Sequence, residues 1–306
     1  MRINPFDHRS PTLWRLVTRR LLMRYGFQWA PALSYGLYLQ ALGRHYRRLG
    51  VDHGMLALSF DCDLEEDMLV TDAVRETLDG LGLKASWAMI GGWMKRFPQV
   101  IQHLLDNGHE IVNHTMTHPD NRWLRPRDAR KFHQVSAEER REEIARCHLF
   151  VRKAFGYEMR GFRAPHFCMT DDGYPILSSL GYCYSSSNLL YLDSTLGAIH
   201  GAPGQMIEMP LSTSPSRPRQ ILESYRLYRG PNGQYRDEHD FYEHFRSIVE
   251  MTAHWRIVSI VYMDPCDAVR LSQPPFTEYL RHLASANLQV VKMDEIATRL
   301  RDAVLA

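Results

Sequence analysis

The 306-residue chain has few cysteines, and none of the five, Cys62, Cys147, Cys168, Cys183 and Cys266, forms a CxxC pair. That excludes a thiolate zinc ribbon, offers no disulfide framework, and suits a reducing, cytoplasmic compartment. A strong charge of one sign is also missing. The net charge of +2 is too small for a general nucleic-acid binder. No uninterrupted apolar run reaches the ~18 residues that a bilayer span requires. Arg15, Arg19, Arg20 and Arg24 interrupt the first apolar segment, so no secretory signal is expected. Internal repeats and low-complexity tracts are absent. What is present is an ordinary globular composition, 44% apolar, long enough for one large α/β domain or two small ones.

Residues 1–50 differ in texture from the rest. Trp14, Phe27, Trp29, Tyr35 and Tyr38 alternate with arginines from Arg9 to Arg48, and Asp7 is the one acidic residue. The pattern predicts two basic, aromatic-rich helices divided near Pro31. They fit either a helical layer packed on the main domain or an interfacial pair lying on an anionic membrane. From residue 51 strands and helices alternate. Strands are expected at Met55–Phe60, Lys84–Ile90, Glu110–Asn113, Gly161–Arg163, Ile207–Met209, Ile257–Met263 and Leu288–Val291. Helices are expected at Val70–Leu81, Pro98–Asn107, Ser136–Phe155, Asp171–Leu180, Glu238–His254, Phe276–Ala286 and from Asp294 onward. Such alternation implies a parallel sheet, either open or closed into a β/α barrel.

The chemistry-bearing residues sit where these strands end. Asp61-Cys62-Asp63 closes the apolar run Met55–Phe60, and His114-Thr115-Met116-Thr117-His118 follows the strand at Glu110. A carboxylate pair and two histidines four apart can hold one divalent ion and one general base. Oxygen and imidazole donors suit zinc first, and also iron, cobalt, nickel or manganese. One aspartate and two histidines leave open positions on the ion, as catalytic sites do. Gly161-Phe162-Arg163-Ala164-Pro165-His166 ends a third strand. In a β/α barrel those ends converge on one face. Taken singly, each motif is commonplace on protein surfaces; their order and placement give them weight.

Over residues 51–300 the chain resembles the polysaccharide deacetylases, the NodB-homology carbohydrate esterases of family 4 type. The paired-aspartate, His-x-x-x-His and Arg-x-Pro motifs of that family match the three segments above, with the aspartates split as in a branch that includes certain peptidoglycan deacetylases. The resemblance implies a deformed (β/α) barrel over residues 51–306, preceded by the helical extension. It implies Asp63, His114 and His118 as metal ligands, Asp61 as general base, and Arg163 as the residue that orients the base. Pro165 and His166 are expected to face substrate. The implied reaction is metal-dependent removal of an acetyl or other small acyl group from an amino sugar, in a glycan or a lipid-linked saccharide. With the basic extension, this suggests a cytoplasmic protein in peripheral contact with the inner face of the membrane.

One motif departs from the pattern. The family's last strand ends in Leu-x-His, whose histidine is the general acid. Here the strand reads Ile257-Val258-Ser259-Ile260-Val261-Tyr262-Met263-Asp264, and Met263 falls at the histidine. Asp264 or His166 is then the expected acid; otherwise the chain is an inactive glycan- or lipid-binding relative. A mononuclear iron oxygenase would also use two histidines and a carboxylate, but βα alternation argues against it. His200 reads as a surface loop residue, and Ser212–Arg219 as a substrate-side loop.

Overall fold

The computed structural model describes residues 31–188, 197–229 and 234–306. The first of the two expected N-terminal helices, with Trp14, Phe27 and Trp29, lies outside the described residues. The second is α1 (Pro31–Arg48). It is followed by β1 (Met55–Cys62), α2 (Glu65–Asp79), β2 (Ser86–Met89), α3 (Gly91–Arg96), α4 (Pro98–Asp106), β3 (Glu110–Asn113), α5 (Ala137–Phe155), β4 (Gly161–Phe162), α6 (Gly173–Ser179), β5 (Tyr184–Ser185), β6 (His200–Ala202), β7 (Met206–Glu208), α7 (Tyr225–Tyr228), α8 (Glu238–Trp255), β8 (Val258–Met263), α9 (Pro265–Ala268), α10 (Phe276–Ser285), β9 (Gln289–Val290) and α11 (Met293–Leu305).

The strands form one sheet in the order β6-β7-β5-β4-β3-β2-β1-β8. All pairs are parallel except β6 with β7. β1 lies at the centre of the site, buried along its whole length, which is why it reads as a nearly continuous apolar run. β8 covers one edge of it from Met55 to Phe60. β9 takes the start of the other edge at Met55–Leu56, and β2 the end at Ser59–Cys62. The sheet curls until the segment after β7 meets β8: Ser212 N donates to Ile260 O at 3.0 Å. Of the open and closed sheets that the alternation allows, this is the half-closed one, the deformed barrel that the resemblance implies.

The concave face is polar. Tyr184 donates to Glu110 Oε1 at 2.6 Å, and Ser86 to Glu110 Oε2 at 2.6 Å. Tyr184 reaches Glu110 by crossing Gly161, where any Cβ would stand 2.0 Å from its ring. α11 plugs the lower end, with Met293 N donating to Ser86 Oγ and Asp294 N to Glu110 Oε2.

α1 belongs to the core. Tyr35, Tyr38, Leu39, Leu42 and Tyr46 are buried at helical spacing. At Gly43 a Cβ would lie 2.5 Å from Trp255 O, so the helix backbone rests directly on the end of α8. Each buried large side chain contributes about 1.5–3 kcal/mol, so the five together rival the net stability of a domain. For residues 31–48, packing on the main domain is what the structure shows. None of the described helices is long and apolar enough to cross a membrane.

Boundaries differ where a side chain, not periodicity, sets the end. α2 starts at Glu65 rather than Val70 because Asp67 accepts from Leu64 N at 2.9 Å and caps the first turn. α3 was not anticipated; its six residues begin with Gly91-Gly92, which reads as a turn. α5 starts as its sequence predicts, with Ser136 Oγ accepting from Glu139 N at 3.2 Å. His200 lies in β6, half-buried, away from the site described below.

His109, just before β3, ties two layers together. Its Nδ1 accepts from Ala85 N and Trp87 Nε1, and its Nε2 lies 3.2 Å from Asp79 Oδ1. Only the neutral ring can accept at Nδ1. Burial is the largest influence and outweighs Asp79, pushing the pKa from 6.5 down to about 4. The unfolded chain therefore takes up a proton before the folded one as pH falls. Stability is fully present above pH 6.5 and is lost as pH drops through 4, by up to about 3 kcal/mol from this group. Urea unfolding of wild type and His109→Gln across that window checks it. The stability difference between them should shrink toward pH 4, and a pH-independent difference would contradict the assignment.

Candidate active site

The site is built on β1 and its neighbours. Ser59 and Asp61 share the concave face of β1, and Asp63 follows just beyond the strand. β2 ends at Met89, and Gly91 and Gly92 then donate to Thr115 O and Met116 O at 3.0 and 2.7 Å. A Cβ on Gly91 would lie 2.6 Å from Met116 Sδ, so glycine lets the histidine loop lie against this turn. From the other side Glu143 of α5 accepts from Thr117 N and Oγ1 at 2.7 and 2.8 Å. Asn113 Oδ1 accepts from Thr115 N, and Thr115 Oγ1 from His118 N.

The loop so held brings Asp63, His114 and His118 together, with one ligand atom from each lying within 4.8 Å of the others. His114 Nδ1 is 2.8 Å from Arg163 O and donates to it, which leaves the Nε2 lone pair directed toward Asp63, 3.1 Å away. His118 Nδ1 lies 3.2 Å from Asp120 Oδ1, and its Nε2 is 3.8 Å from Asp63 Oδ2. Asp63 Oδ1 is buried and makes no hydrogen bond. An orphaned carboxylate oxygen facing two imidazole lone pairs fits a divalent cation. Burial opposes charge on Asp63, but His118 and His114 hold its carboxyl well below the usual range. Burial likewise disfavours an imidazolium at His114, yet Asp63 and Asp61 lift its pKa. A cation would answer the same attraction and leave the ring neutral.

Asp61 is paired with Arg163, and both are buried. Arg163 Nη1 donates to Asp61 Oδ1 and, at 3.0 Å, to Ser59 Oγ; Nε donates to Ser186 O at 3.1 Å. Phe167 and Tyr262 lie over the guanidinium at 5.7 and 5.9 Å. Burial pushes the Asp61 pKa up, while Arg163 and His114 oppose it. Asp61 Oδ2 has no partner among the described residues, and Asp61 lines a cavity of about 450 Å³ together with Asp63, His114, His166, Tyr262 and Asp264.

The register of β8 corrects one sequence expectation. Tyr262 pairs with Ser59 and Met263 with Phe60. Tyr262 and Asp264 thus share the face of Ser59 and Asp61, whereas Met263 lies on the opposite face, fully buried, and does not line the cavity. Asp264 is the residue that the end of this strand presents to the site. Arg229 pairs with both Asp264 and Asp267. Burial, then Asp67 and Asp63, raise the Asp264 pKa well above the carboxylate range despite Arg229. Pro165 is buried and opens a short turn, while His166 is partly exposed with Nε2 2.8 Å from Asp120 Oδ2.

Asp120 was missed in the sequence. It touches His118 with one oxygen and His166 with the other, but a single aspartate after His118-Pro119 carries no pattern. Backbone strain marks the same place: Thr115, His118, Asp120, His166 and Phe167 all have φ between 49° and 81°.

Residues 49–185 match the polysaccharide deacetylase family. A peptidoglycan-N-acetylglucosamine deacetylase of Bacillus cereus is 25% identical over 138 residues, 45% of this chain and 44% of that protein. A chitooligosaccharide deacetylase of Sinorhizobium fredii is 35% identical over 101 residues, 32% of this chain and 42% of that protein. The chain thus spans less than half the length of these curated relatives. In fold it is similar to a Mycobacterium smegmatis protein assigned to the polysaccharide deacetylases, with a TM-score of 0.63 at 18% identity over 82% of this chain and 92% of the other. The segment that matches the polysaccharide deacetylase family, residues 49–185, is the one that carries Asp61, Asp63, His114, His118 and Arg163.

Proposed function

We propose that the protein is a metal-dependent deacetylase that hydrolyses the N-acetyl, or another small N-acyl, group of an amino sugar within a glycan or lipid-linked saccharide. The observation that carries the reading is the convergence of Asp63, His114 and His118 beside the buried Asp61–Arg163 pair. The curated relatives act on peptidoglycan and chitooligosaccharide by name, which supports an amino-sugar substrate.

An ion held by Asp63, His114 and His118, zinc first, would supply Lewis acidity toward the amide carbonyl and an acidified water. Asp61 accepts the proton as the water oxygen adds to the carbonyl carbon. Arg163 favours the ionised form of Asp61 against burial and fixes one of its oxygens, so the other is left to the cavity. As the C–N bond breaks, the leaving nitrogen takes a proton from Asp264 or from His166, both of which line the same cavity. Acetate and the free amine result. The reading as an inactive relative loses the observation that favoured it, because Met263 does not face the cavity.

Elemental analysis of purified protein should find one equivalent of transition metal, lost in the His114→Ala/His118→Ala double variant. Asp61→Asn should keep the metal and lose about 10²-fold or more in kcat. Metal retained by the double variant, or stripped by Asp61→Asn, would reverse these roles.

For the acid, Asp264→Asn should lower kcat, and His166→Gln should lower it less. Met263→His puts a polar ring into a fully buried apolar position and should reduce thermal stability without raising activity. A Met263→His variant that gains activity would restore Met263 to the site.

The proposed location is the cytoplasmic face of a membrane. α1 leaves Leu33 and Leu37 exposed at 68% and 58%, in line with exposed Arg44 and Arg48. Apolar side chains beside cations suit an anionic lipid surface. Removing α1 would uncover core residues, so substitution is the fair test. The full chain should float with anionic vesicles at low salt, and Leu33→Glu/Leu37→Glu should float much less. Equal flotation of the two would count against this face as the contact.

A further inference from the structure

Beside the candidate metal cavity lies a second hollow of about 450 Å³, and the two share Ile221, Glu223 and Arg226 as a common wall. Its other walls include Arg217 and Arg219. We infer that this second hollow is a subsite for an anionic group, a phosphate or carboxylate, carried by the substrate next to the amino sugar that is deacetylated. The inference rests on the deacetylase reading for what occupies the first cavity.

The three arginines differ in role. Arg217 is committed to the frame: it donates to Gln220 Oε1 at 2.8 Å, Gln234 O at 2.9 Å and Asp240, and lies 4.7 Å over the Tyr235 ring. That fixes the floor of the hollow without leaving a free charge. Arg226 pairs with Glu223 on the shared wall, so its charge is half-engaged and its side chain is 42% exposed. Arg219 is exposed and has neither an ion pair nor a side-chain hydrogen bond among the described residues. Across the mouth of the first cavity, Lys131 is also exposed with no ion pair among the described residues. Cations without an ion pair among the described residues therefore line both adjoining cavities, Lys131 in the first and Arg219 in the second. Planar guanidinium groups favour bidentate contact with phosphate or carboxylate. A volume of this size suits a sugar-phosphate or an acidic sugar rather than a bare ion.

The test uses the metal-loaded full chain. Two substrate pairs separate the sources of charge: N-acetylglucosamine 1-phosphate against N-acetylglucosamine, and N-acetylglucosaminyl-N-acetylmuramic acid against diacetylchitobiose. At least one anionic member should have a KM about tenfold or more below its neutral partner, and Arg219→Gln and Arg226→Gln should each shrink that ratio several-fold. The pair that shows the preference identifies phosphate or carboxylate. No preference in either pair overturns the inference. Independently of turnover, inorganic phosphate titrated by calorimetry should bind wild type several-fold tighter than the Arg219→Gln/Arg226→Gln double variant. Phosphate held at the metal alone would bind both proteins equally, and that result overturns the subsite even if no sugar is hydrolysed. Absence of turnover with tighter phosphate binding by wild type would instead sink the deacetylase reading and leave the anion site standing.

Discussion

Arg163 is the residue on which the rest of the centre depends. It is fully buried in the concave face of the sheet, a location where an unpaired cation is not tolerated. Its donors are met by Asp61, Ser59, Ser186 and the sulfur of Met293, which join β1, β4, the end of β5 and the start of α11. Its backbone also serves the candidate metal-binding group, because Arg163 O accepts the hydrogen bond of His114 Nδ1–H and so decides which nitrogen turns to Asp63. Taking one partner from a buried ion pair costs about 3–5 kcal/mol. The polar interior of this half-barrel thus depends on one residue: the Arg163 side chain holds Asp61 and ties together β1, β4 and β5, and its backbone carbonyl orients His114.

The loops around that centre carry strain that regular structure avoids. Five non-glycine residues with positive φ crowd the rim, each at a cost of order 1–3 kcal/mol. They persist because Glu143, Asn113, Asp120 and Asn121 hold the surrounding backbone and rings from several sides; Asn121 Nδ2 donates to Asp63 O while its Oδ1 accepts from Trp123 N and Leu124 N. The directions of the Asp63, His114 and His118 side chains are therefore fixed by the surrounding protein, as a preorganised site for the proposed ion requires.

Much of this was legible in the sequence, for physical reasons. A charged pair that ends an unbroken apolar run has one cheap location, the mouth of a buried strand, and Asp61-Cys62-Asp63 obeys that. Alternation of strand and helix made a parallel sheet the natural architecture and left open whether it curls. Parity was the harder matter. Met263 and Asp264 differ by one residue, and a one-residue shift moves a side chain to the other face; only the pairing of Tyr262 with Ser59 decides between them. Asp120, Ser59 and Ser186 left no trace because single polar residues have no period, and their roles arise from contacts between distant segments. For the arginine-lined hollow, Ser212–Arg219 was legible as a substrate-side loop, but no residue in it could be given a role, because Arg217 and Arg219 differ only in their contacts. The exposed and buried faces of α1 could not be separated from an interfacial helix by composition, because both place aromatics and arginines at helical spacing.

The measurement closest to the central claim is an anomalous-difference map from crystals of the protein, collected at the absorption edge of whichever metal X-ray fluorescence detects. One strong peak is expected about 2.0–2.2 Å from an oxygen of Asp63 and from Nε2 of both His114 and His118, with Asp61 outside bonding distance and still paired with Arg163. A peak bound instead between His118, Asp120 and His166, or one that takes Asp61 as a ligand, would contradict it.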